Sequence, residues 1–98
     1  MKFEQNTVTI SEWSKFEQPD LNVELQRKRL ERKLKDAERA EGTSKWADKM
    51  AEVYIAAAIM AGRFVQTTGK VTLWWMEEYP EYQKIREIVD EKMRTEYA

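Results

Sequence analysis

The chain has 98 residues, of which 36% are charged, with 17 basic against 18 acidic side chains and a formal net charge of −1. That describes one domain large enough to bury a modest core, and it excludes a wholesale polycation or a polyanion mimic. Cysteine and histidine are both absent, which excludes disulfides, thiolate ligands and cysteine nucleophiles and removes the commonest general base and transition-metal ligand. No catalytic residue, no cofactor and no metal are therefore expected, and a cytoplasmic setting is.

Residues 1–8 read as a flexible arm without an apolar core of signal-peptide length. Thr9-Ile10-Ser11-Glu12 matches a capping box, with Val8 and Trp13 at staple positions. The pattern predicts a short first helix from about Ile10 to Gln18, stopped by Pro19, with Asp20 as N-cap of the next. A second helix is expected from about Leu21 to Glu41, ending at Gly42. Its apolar stripe is thin: Val23, Leu30 and Ala37 recur every seven residues with Leu34 beside them, a seam suited to one neighbouring helix.

Thr43 or Ser44 would cap a third helix, about 45–68, whose stretch from Val53 to Gly62 has no polar face. The run is too short to span a membrane, so a soluble protein is expected. The short turn before it predicts an antiparallel helical hairpin over 21–68. Residues 70–79, KVTLWWMEEY, suit either a helical turn capped by Thr72 or a strand, and the helical turn is preferred. Pro80 fits the first position of a final helix over 80–96, with Tyr82, Ile85, Val89 and Met93 on one face and Ile88 at its margin. The fold class predicted is all-α: a single-domain bundle of three to five helices built around the central apolar helix.

Four features carry the functional expectation. Small residues in the third helix let another backbone approach closely. Either the helix is a core helix covered by its own chain, or a second copy completes it; a homo-oligomer is the expectation, with contacts at Ala57, Ala58, Ala61 and Gly62. Trp74, Trp75, Met76 and Tyr79 cannot all face inward, because consecutive side chains diverge on helix or strand alike; they are read as a protein-binding surface. Lys28, Arg32, Lys35 and Arg39 form a basic line on the outer face of the second helix. That line would suit a phosphate backbone, but Glu24 before Lys28 and Glu31 before Lys35 have the spacing of ordinary surface ion pairs. Finally, Glu77, Glu78 and Glu81, then Glu87 and Asp90, superficially echo the EExxE and ExxD metal-binding pairs of all-helical nucleotide pyrophosphohydrolases. Those pairs need separate helices, whereas here they are a few residues apart and Pro80 interrupts the first, so acids complementing a helix N-terminus explain them better.

The functional expectation is a non-enzymatic binder of other macromolecules, a regulator, inhibitor or adaptor of the kind phages and mobile elements often carry. It is expected to act through a protein partner, as a homo-oligomer and without a membrane. The alternative is a nucleic-acid-binding regulator that uses the basic face.

Overall fold

A helix that is apolar on every side must be covered on every side, and that requirement organises the molecule. The computed structural model describes residues 2–64 and 80–97. All regular structure among them is helical: α1 (Lys2–Glu17), α2 (Val23–Ala40), α3 (Trp46–Ile59) running on into one π-helical turn (Met60–Phe64), a 3-10 turn (Pro80–Tyr82) and α4 (Gln83–Thr95). The protein is an all-α bundle in which α3 packs against α1, α2 and α4. Expectations for residues 65–79 lie outside the described residues, including the end of the third helix, the helix-or-strand question, and Trp74, Trp75, Met76, Glu77, Glu78 and Tyr79.

The helix α1 begins at Lys2, so from that residue on, the segment expected as an arm supplies its first turns. The expected capping box lies mid-helix: the Thr9 hydroxyl donates to the Gln5 carbonyl at 3.2 Å and the Ser11 hydroxyl to the Val8 carbonyl at 3.1 Å, local bonds compatible with a helix interior. Tertiary contact overrides the local signal, because Asn6 is buried and its Nδ2 donates to the Tyr54 hydroxyl of α3 at 3.2 Å. The helix α2 starts two residues later than expected. Leu21 is buried and pins the turn after Pro19, so Asn22 rather than Asp20 becomes the cap, its Oδ1 accepting from the Leu25 N–H at 2.9 Å.

The α2–α3 hairpin is antiparallel: Gln26 meets Ala56, while Lys33 meets Glu52 nearer the turn. Gly42 sits at φ +80° just after α2, a left-handed position that glycine occupies without penalty. Thr43 then ties the turn, its hydroxyl donating to the Ala40 carbonyl at 2.6 Å and accepting from the Lys45 N–H at 3.2 Å.

Toward α3, α2 turns a face that keeps only part of the predicted seam Val23, Leu30, Leu34 and Ala37 and adds Gln26. Gln26 and Ala37 are buried, whereas Val23 and Leu34 are exposed. The final helix follows its predicted stripe, with Ile85 and Val89 buried and Tyr82, Ile88 and Met93 packed against the same core. Each fully buried aliphatic side chain of this kind contributes about 1.5–3 kcal/mol.

Candidate functional site

An open groove of about 450 Å³ lies where the end of α1, the first half of α2, the middle of α3 and the end of α4 converge. Its size is that of a small-ligand or peptide-segment site. Ile55, Ala56 and Ile59 of α3 form the floor, with Glu52 at one end, because the i, i+3, i+4, i+7 spacing puts these four on a single stripe. The methyl side chain at Ala56 leaves its backbone open to α2. Gln26 uses that opening: 1% exposed, it donates from Nε2 to the Ala56 carbonyl at 2.9 Å.

The amide's other end has no such arrangement. Gln26 Oε1 is buried and has no hydrogen-bond partner among the described residues, and turning the amide over would set its oxygen against the Ala56 carbonyl. An orphaned buried acceptor costs about 1–3 kcal/mol, against roughly 1 kcal/mol for the bond Nε2 makes. The Ala56 carbonyl also accepts from the Met60 N–H, so removing the amide leaves it satisfied. We therefore expect Gln26→Leu to raise the unfolding free energy by about 1 kcal/mol in urea titrations; a loss of similar size would show that Oε1 has a partner in solution.

Charge around the groove is mixed but unevenly neutralised. Glu52 lies 3.7 Å from both Lys33 and Lys49, and Glu96 lies 3.9 Å from Lys92. Arg29 and Arg32, one helical turn apart on the α2 wall, make no ion pair among the described residues, so the uncompensated charge is positive. The opposite wall is aromatic: Trp13 and Tyr97 meet edge to face with ring centroids 4.7 Å apart. Burial, then the Glu96 carboxylate, raises the Tyr97 pKa above the ordinary phenol value. The hydroxyl therefore remains a neutral donor at physiological pH.

Of the residues singled out in the sequence, Lys28, Arg32, Lys35 and Arg39 are all exposed on the outer side of α2, and Arg32 also borders the groove. Glu24 pairs with Arg27 at 3.3 Å instead of with Lys28, and among the described residues Lys35 and Glu31 have no ion pair; Arg39 lies 3.9 Å from Asp36. Ala57 and Ala58 have no exposed surface at all, and Ala61 is partly exposed. At Gly62, a Cβ would fall 2.5 Å from Ser11 Cβ, so its smallness serves the contact with α1. Sequence reasoning missed Gln26, Arg29, Lys33 and the Trp13–Tyr97 pair. Their signal was helical register: Gln26, Lys33 and Ala37 share one face of α2.

Among the described residues no group of three acidic side chains could hold a metal ion, and Glu87 and Asp90 are exposed on α4. None of the described helices is long and apolar enough to cross a membrane. No protein-family model matches the chain, and no curated protein or solved structure matches it either.

Proposed function

We propose that this is a non-enzymatic, cytoplasmic binding protein, a regulator, inhibitor or adaptor, that works through protein–protein contact on the face bordering the groove. The observation that carries the reading is Phe16, whose side chain is 83% exposed on α1, one turn from Trp13 of the groove wall. Leu25, also exposed, lies one turn before Arg29 on α2. A phenyl ring left in water gains about 1.5–3 kcal/mol when a partner covers it, the scale of an interface hot spot. Uncompensated arginines beside such apolar anchors add orientation and on-rate more than affinity.

The homo-oligomer form of this reading places a second copy on the same face, since Ala57 and Ala58 are closed off within the chain. The second reading, a nucleic-acid-binding regulator, draws on Lys28, Arg32 and Lys35, none of which has an ion pair among the described residues.

Affinity capture from native extract, compared between wild type and Phe16→Ser and accompanied by light scattering, separates these readings. We expect a stoichiometric protein partner, or a self-associated mass, that Phe16→Ser abolishes without changing the melting temperature. Retention of nucleic acid that falls with salt and vanishes in Lys28→Glu with Arg32→Glu, but survives Phe16→Ser, would replace this proposal with the second reading. Capture that is identical for wild type and Phe16→Ser would overturn the docking face.

A further inference from the structure

We infer that the groove between α1, α2 and α3 is a recognition site for an acidic peptide segment, one apolar side chain of which lies within about two residues of an Asp or Glu. The inference rests on the protein-binding reading and names the chemistry of the partner. Three features define the ligand independently. The Ile55 and Ile59 floor is aliphatic and takes an apolar side chain. Gln26, 1% exposed and lining the groove, has an Oε1 with no hydrogen-bond partner among the described residues, an acceptor that a side-chain turn toward the groove would bring to an N–H of an extended peptide backbone. Arg29 and Arg32 offer two guanidiniums that pair with no carboxylate among the described residues, a fit for a bidentate carboxylate.

Spacing makes the three compatible. Residues three apart on a helix have Cβ atoms about 5–6 Å apart, so the distance from Gln26 to Arg29 corresponds to roughly two residues of extended chain at about 3.3 Å each. A segment that bonds Gln26 through its backbone therefore brings an acidic side chain one or two positions away to the arginines. The same features disfavour a nucleic acid. Trp13 and Tyr97 are engaged edge to face with each other rather than standing as open plates for a base, and Glu52 and Glu96 oppose a run of phosphates.

The test is selection of a random heptapeptide library on the immobilised full-length chain, followed by NMR titration of the strongest sequence into the labelled protein. Enriched peptides should carry Asp or Glu within two positions of Leu, Ile, Met or Phe. Their binding should perturb the Gln26 side-chain amide and weaken by at least about tenfold, or about 1.4 kcal/mol, in Arg29→Glu with Arg32→Glu. The neutral pair Arg29→Gln with Arg32→Gln serves as a second variant, and Gln26→Leu should weaken binding while keeping the fold by circular dichroism. No enrichment, enrichment without acidic residues, binding indifferent to the arginine variants, or tighter binding of an oligothymidylate at the same residues would each overturn the inference. Partner capture lost in Phe16→Ser without any peptide selected would defeat the groove site and leave the docking face standing. Selected peptides without any captured partner would do the reverse.

Discussion

Gly62→Val should undock α1 from the centre of the bundle and lower the unfolding free energy by about 2–3 kcal/mol. A Cβ at residue 62 would sit 2.5 Å from Ser11 Cβ, 2.7 Å from Ser11 Oγ and 3.2 Å from Thr7 Cγ2. Such a contact with a Cβ fixed to another helix is relieved only when the helix itself moves. Replacing glycine by alanine inside a helix ordinarily gains up to about 1 kcal/mol, so even Gly62→Ala sets a favourable propensity against the overlap, and the overlap should win. The partner of the collision is testable by double-mutant cycle. Ser11→Gly removes both nearest atoms, so Gly62→Ala should cost less in that background, whereas Ser11→Ala keeps the Cβ and should give no relief. Equal costs in the two backgrounds, measured by urea unfolding, would show that α1 approaches elsewhere. Because α1 also supplies Trp13 to the groove, the same variants should reduce peptide binding in step with the loss of docking.

The sequence displayed the bundle more clearly than it displayed the site, for reasons visible in individual residues. Val53 to Met60 lack any polar side chain except the Tyr54 hydroxyl, so a central position was the only place for them, and the final helix carried its stripe openly at Ile85 and Val89. What hydrophobic pattern could not show was how α3 would be covered. The flanking helices do it partly with small polar residues: Asn6, Ser11 and Ser14 of α1 and Gln26 of α2 are all buried. A polar residue enters a core when a partner group stands opposite, as the Tyr54 hydroxyl does for Asn6 and the Ala56 carbonyl for Gln26. Such a partner, 48 or 30 residues away in the chain, leaves no local trace. Counting apolar residues alone therefore left Gln26 out of the α2 face that packs on α3 and placed Val23 and Leu34 on it beside Ala37.

The groove escaped notice for the same reason. Arg29 and Lys33 read as part of a solvated charged helix, yet the register that buries Gln26 also carries them to the groove wall, and the basic line Lys28, Arg32, Lys35 and Arg39 touches that wall only at Arg32. On the proposed reading, the functional weight lies with the two arginines beside the apolar floor rather than with the ladder of four outward charges.

Arg63→Ala should be at least as damaging as the glycine substitution, lowering stability by about 2–3 kcal/mol and the melting temperature by roughly 10–20 °C. From the π-helical turn after α3, Arg63 Nη1 donates to the Ser14 carbonyl at 3.1 Å, the Ser14 hydroxyl at 2.9 Å and the Gln18 carbonyl at 2.9 Å. Two of those acceptors are carbonyls at the C-terminal end of α1; each already accepts one backbone N–H, Ser14 from Gln18 at 2.8 Å and Gln18 from Leu21 at 3.1 Å, so Arg63 fills their second lone pairs, and a cation there also complements the helix dipole. One nitrogen carries two hydrogens, so three acceptors must share them, and the sum is smaller than three full charged bonds. The wider π turn places Arg63 over this helix end while Gly62 meets Ser11, so one irregular turn fixes both the distance and the cap of α1. Arg63→Lys should recover less than half of the loss, because a single ammonium on a shorter stem cannot span acceptors from residue 14 to residue 18. Full recovery by lysine would mean that charge alone, without the guanidinium's geometry, holds the helix end. Near-ultraviolet circular dichroism should report the same event through Trp13, whose edge-to-face contact with Tyr97 depends on α1 staying where Arg63 holds it.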